Sequence, residues 1–144
     1  LADTSRLAVS GADRANFSAI AGKSKADKGI VAVLANYDYN SYRGNYPVTN
    51  NLKAHEDAEY SEYKKNYGRP KVYDKYILTL NNLPWSPSDK VIYERYIVDD
   101  NKKLELVETQ TVAGNSSLTF TRDIAAPSVE VVKVYKNESG DKRR

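Results

Sequence analysis

The sequence predicts an all-β fold: an antiparallel β-sandwich of about seven to eight strands, with a tyrosine-rich, partly helical insertion at about residues 38–70. Three observations lead there. The run Gly29-Ile30-Val31-Ala32-Val33-Leu34-Ala35-Asn36-Tyr37-Asp38 is almost continuously apolar, as a fully buried strand is. The run from Pro127 to Tyr135 alternates instead, with Val129, Val131 and Lys133 on one side and Ser128, Glu130, Val132 and Val134 on the other. Period-two patterning of β-branched residues marks a strand with two distinct faces. Between these two runs, short β-branched and aromatic stretches recur, separated by Gly, Pro, Asn and Asp.

Taken in order, Leu7-Ala8-Val9 is a short candidate strand closed by the Ser10-Gly11-Ala12-Asp13 turn. From Asn16 to Gly22, Phe17, Ala19 and Ala21 alternate with Ser18 and Ile20, which reads as a second strand. The polar stretch from Lys23 to Lys28, with Asp27-Lys28-Gly29 as its turn, joins that strand to the Gly29–Tyr37 run as an antiparallel hairpin.

Residues 38–70 change character. Ala54 to Asn66 has the spacing of a helix, with Tyr60, Tyr63 and Tyr67 on one stripe, and Gly68-Arg69-Pro70 ends it. A connection of this length inside a compact domain points to a functional insertion or a poorly ordered one.

Strand character returns from Val72 to Leu80, and Asn81 to Asp89 is a prolyl turn around Leu83-Pro84-Trp85-Ser86-Pro87. A further strand runs from Lys90 to Asp99. Leu104, Leu106, Val107 and Val112 mark a weaker segment, strand or short helix. Ser117 to Thr121 alternates again and leads into the closing strand.

The bulk properties narrow the function. A chain of 144 residues fits one domain, residues 1–144, and falls well short of the ~250 residues of a (β/α)₈ barrel. It opens on Leu1-Ala2-Asp3-Thr4 with no initiator Met, and an upstream leader or domain is the expectation. The 22 Lys and Arg are interspersed with 19 Asp and Glu, so no nucleic-acid partner is expected. No apolar stretch approaches the ~20 residues of a membrane helix, and no membrane partner is expected. Zero cysteines exclude disulfides, thiolate metal sites and cysteine nucleophiles within these residues.

Catalytic and metal-binding patterns are likewise missing. His55, the single histidine, stands among Lys53, Glu56 and Asp57 and reads as a solvated residue on a charged face. There is no G-x-S-x-G and no glycine-rich phosphate loop. Glu56-Asp57 and Asp99-Asp100-Asn101 are too short for a calcium loop and lack its glycine and closing glutamate. We therefore expect no catalytic residue, no cofactor and no metal.

The aromatic composition is the feature that could carry function. Twelve tyrosines stand against two phenylalanines, and a tyrosine's flat ring and hydroxyl suit sugar stacking and half-wet interfaces. Tyr73, Tyr76, Tyr93 and Tyr96 are expected to line the sheets. Tyr39, Tyr42, Tyr46 and Trp85 are the candidate contacts, either as a glycan platform or as a docking surface for another domain.

The order of these elements resembles a known one. An apolar strand ending Asn36-Tyr37-Asp38, a strand entering Leu83-Pro84, a strand ending Tyr96-Ile97-Val98-Asp99, and Leu118-Thr119-Phe120 followed by Ala126-Pro127-Ser128-Val129 look like an accessory domain of glycoside hydrolases. It is the β-sandwich that follows the catalytic barrel in β-xylosidase and α-L-iduronidase-like enzymes (family 39 and relatives). The likeness covers most of residues 16–38 and 72–135. Where such domains continue with His-Ser-Asn, this chain has Asp99-Asp100-Asn101-Lys102, which leaves the broader class of barrel-glycosidase sandwiches.

The resemblance implies a non-catalytic domain that braces a catalytic barrel upstream in the same polypeptide and lends residues 38–70 to the substrate cleft. It also implies an extracellular or periplasmic setting and a carbohydrate nearby. No catalytic residue carries over, because the barrel that holds the carboxylates is not among these residues. Two rival expectations are a free-standing carbohydrate-binding module built on Trp85 and the insert tyrosines, and a cell-surface adhesion or structural sandwich.

Overall fold

The computed structural model describes residues 4–12, 14, 16–25, 28–37 and 72–138, and among these the regular structure is eight strands. They are β1 (Thr4–Arg6), β2 (Phe17–Ser24), β3 (Ile30–Asn36), β4 (Lys75–Leu80), β5 (Lys90–Val98), β6 (Lys103–Ala113), β7 (Leu118–Asp123) and β8 (Ser128–Lys136). Two antiparallel sheets result, one of six strands in the order β1-β2-β3-β8-β5-β6 and one of two, β4-β7. No helix occurs among the described residues. The all-β sandwich read from the sequence is the fold observed. The helical reading of 54–66, the insertion tyrosines and His55 fall outside the described residues.

The expected antiparallel β2–β3 hairpin forms, with Phe17 opposite Asn36 and Lys23 opposite Ile30. Its turn relies on Lys28 at φ 60° and on a bond from Ser24 N to Gly29 O. β3 joins β8 along its whole length, and β8 joins β5, so the apolar strand and the closing strand lie side by side at the sheet centre. Alternation then sets which side chains enter the core. Ile30, Ala32 and Leu34 from β3, Val132 and Val134 from β8, and Val91 and Tyr93 from β5 face inward. Tyr76 and Leu80 of β4 and Phe120 of β7 close over them from the second sheet.

The strand expected from Val72 begins only at Lys75, and two further elements differ more from the sequence reading. The first strand is Thr4–Arg6, not Leu7–Val9, because Thr4, Ser5 and Arg6 find partners in Ser24, Lys23 and Gly22. Leu7 still bonds to Ala21 O and packs on the core, but Val9 is exposed. The weak segment around Leu104 is in fact the longest strand, β6, at 11 residues. Its pairing with β5 skips Val107 and then Leu104, and these two irregularities break the period-two pattern. Leu104, at φ 59°, sits in the left-handed region. As an edge strand exposed on both sides, β6 also lacks the one-sided apolar pattern that reveals a buried strand.

The loop from β4 to β5 closes one end of the sandwich. Leu83 and Trp85 turn inward while Pro84 stays exposed. Leu83 N donates to Ser116 O at 2.9 Å and Gly114 N to Asp89 O at 2.8 Å, which ties this loop to the β6–β7 turn. Gly114 is buried there because a Cβ would run into Ser86 O and crowd Trp85 Cβ.

Candidate functional site

The most distinctive chemistry lies between the sheets. Glu130 belongs to the inward face of β8, as its alternation with Val132 and Val134 requires, and its side chain is 1% exposed. A bare carboxylate in that position would be prohibitively costly. Its neighbours remove the cost. Arg95, across from β5, donates Nε to Oε1 at 2.6 Å and Nη2 to Oε2 at 2.8 Å, a two-pronged grip that suits a planar guanidinium. Tyr76 of β4 reaches from the other sheet and donates its hydroxyl to Oε1 at 2.9 Å.

The chain of charge continues. Arg95 Nη1 lies 3.7 Å from Glu108 Oε1 on β6, and Arg95 Nη2 also donates to Asp123 O at 2.8 Å. Glu108 is gripped in turn by Arg122 of β7, with Nε to Oε1 at 2.9 Å and Nη2 to Oε2 at 2.7 Å. Arg122 Nη2 reaches Gln110 as well, and its guanidinium lies 5.0 Å from the Tyr93 ring centre. The Tyr93 ring stacks on Phe120 with centres 4.3 Å apart. The ladder Glu130–Arg95–Glu108–Arg122 thus alternates in sign and crosses from one sheet to the other.

Strand register assembles it. Arg95 and Glu108 are directly opposite in β5 and β6, and Tyr76 and Arg122 are directly opposite in β4 and β7. Electrostatics follow the geometry. Burial, reinforced by the Glu130 charge, pushes the Tyr76 phenol far above its ordinary range. Burial also raises Tyr93. Glu130 and Glu108 hold their arginines more firmly protonated. Tyr93 Oη is buried with no hydrogen bond of ordinary geometry.

This arrangement does not suit acid–base catalysis. A glycosidase needs one carboxyl poised to give a proton and a second free to attack or to activate water. Here each carboxylate is clamped by an arginine, and Glu130 is out of reach of solvent. Among the described residues, no cluster of three or more His, Cys, Asp or Glu is placed to hold a metal ion. Asp99, in the pair of loops considered for calcium, instead accepts from Asn101 N and Lys102 N at 2.8 Å and stabilises the β5–β6 turn. Asp89 is held below its usual range by the Ser86 amide and by Lys136. That pair lines a shallow groove with Ser88, Lys90 and Asn137.

A second polar anchor sits at the end where β3 finishes. Asn36, 2% exposed, donates to Tyr73 O at 2.8 Å and to Ala125 O at 2.9 Å, drawing the lead-in to β4 and the β7–β8 loop onto β3.

Of the candidate contacts named from the sequence, Tyr39, Tyr42 and Tyr46 lie outside the described residues. Trp85 does not form an exposed platform: it is 6% exposed and belongs to the hydrophobic core. The turn that carries it alternates at Leu83, Pro84 and Trp85, and the indole takes the inner side. Tyr76 and Tyr93 do line the sheets. The ladder residues Arg95, Glu108 and Arg122 were not singled out by sequence reasoning. Their signal is alternation: Tyr93 with Arg95, and Phe120 with Arg122, share a face of their strands.

The fold occurs in part of a larger protein. A glucosidase from Croceicoccus marinus superposes with a TM-score of 0.66 at 22% identity, over 92% of this chain and 28% of the glucosidase. CelM2, a bifunctional glucanase-xylanase from a metagenome library, gives a TM-score of 0.42 at 14% identity, over 85% of this chain and 16% of that one. The GH51 α-L-arabinofuranosidase of Thermotoga petrophila gives 0.36 at 11% identity, over 82% and 19%. None of these three is described as a family 39 enzyme. No family model matches the sequence, and neither does any curated protein. The chain shares its fold with a minor portion, 28%, of the glucosidase it resembles.

Proposed function

We propose that this chain is a non-catalytic accessory β-sandwich of a carbohydrate-active enzyme, bracing a catalytic barrel carried elsewhere in the same polypeptide. The observation that carries the reading is the superposition of nearly the whole chain, 92%, on 28% of a glucosidase. The interior chemistry supports it, since Glu130 and Glu108 are committed to arginines. The reading also places the domain outside the cytoplasm, in the periplasm or the extracellular space, and there it rests on the sequence resemblance alone.

The complete reading frame tests it. A flanking (β/α)₈ barrel with paired carboxylates at its strand ends is the expected finding. A frame with no barrel, or with a catalytic domain of unrelated chemistry, overturns the proposal.

A further inference from the structure

We propose that the outer face of the six-stranded sheet is the surface on which a second domain of the same polypeptide docks; this rests on the accessory-domain reading above. The face carries an unbroken apolar row. Ile20 pairs with Val33, Val33 with Val131, Val131 with Tyr96, and Tyr96 with Leu106. That line crosses five of the six strands, from β2 to β6. An antiparallel sheet with one face in water is polar on that face. Here the inner face holds the core, and the outer face carries this apolar row flanked by Lys133 and Glu94, which lie opposite each other in β8 and β5, with Lys133 Nζ 5.3 Å from the Tyr96 ring centre. Yet both ends of the row are open, with Ile20 47% and Leu106 49% exposed.

Size identifies the occupant. Five strands at ~4.8 Å spacing make the row about 19 Å long, and with the parallel row Ala35–Val129–Val98 the patch is on the order of 300 Å². A stable dimer of separate molecules buries about 800 Å² per partner, so a second copy would be held too weakly. Domains within one chain meet over about 600–1,500 Å² in total, a range this patch reaches from one side. A tether supplies the effective concentration that a small interface lacks. The superposition on 28% of the glucosidase makes a tethered domain the partner to expect.

The described chain offers a clean probe, because residues 1–144 contain no cysteine. Ile20→Cys and Leu106→Cys mark the two ends of the row. Thr119→Cys, exposed on the outer side of β7 in the two-stranded sheet, is the control. Each is made in the full polypeptide and modified with a maleimide, and peptide mapping by mass spectrometry separates these sites from any other cysteines. Both row positions are expected to react at least about tenfold more slowly than the control while the protein is folded, and equally fast in denaturant.

Equal rates in a polypeptide that contains a second folded domain overturn the docking face and leave the accessory reading intact. Protection that disappears on dilution while the molecular mass halves assigns the face to a second copy and also overturns it. A reading frame with no second domain removes both proposals.

Discussion

A carboxylate as enclosed as Glu130 is tolerable because three donors converge on it: two from Arg95 and one from Tyr76. Removing one member leaves the rest buried and uncompensated. Arg95→Met is expected to cost about 3–5 kcal/mol in urea unfolding. The double variant Arg95→Met with Glu130→Leu is expected to recover most of that loss, because no unpaired charge remains. Tyr76→Phe, which removes one bond to a charged group, is expected to cost about 1.5–3 kcal/mol in the same measurement. An Arg95→Met loss that the double variant does not relieve would show that packing, not charge pairing, dominates there.

The raised Tyr76 phenol gives this network a pH signature. A group whose folded value lies above its unfolded one contributes fully below the unfolded value, ~10 for tyrosine, and its contribution fades as pH rises beyond it. Thermal stability should therefore fall above about pH 10, and less steeply in Tyr76→Phe. Thermal melts across that range check it.

At the scale of the elements, the loop and turn that close one end of the sandwich meet at Gly114. Gly114→Ala would push a methyl group into the Ser86 carbonyl and crowd Trp85. The loop cannot shift freely, since Leu83 and Trp85 are both anchored in the core. A loss of about 1–3 kcal/mol is expected, measured by denaturant midpoint. An unchanged midpoint would mean that the loop adjusts at no cost.

Element patterns also decide how much could be read in advance. The two faces of β8 were legible because it buries one side and burial imprints alternation on the sequence, while β3 was legible from its nearly continuous apolar run. Glu130 was already on the face of Val132 and Val134, so a buried carboxylate was implicit in that pattern. Its partners were not, since Arg95, Glu108 and Arg122 come from three other strands whose register no local pattern states. β6 was obscured by its two skipped residues, and Trp85 was misplaced because a rigid turn can point its indole inward or outward.

On the scale of the whole molecule, six strands face only two among the described residues, and the charged ladder holds the smaller sheet in place. Charge, packing and loop contacts are all spent on keeping a scaffold in one geometry. Under the accessory reading proposed above, catalysis comes from a different part of a longer polypeptide and this sandwich contributes a scaffold.

Hydrolysis of a panel of aryl glucosides, xylosides and arabinosides, compared between the full polypeptide and residues 1–144 alone, tests this most directly. Turnover by the full polypeptide, with release by residues 1–144 no faster than buffer, is the expected result. Turnover by residues 1–144 alone would contradict it.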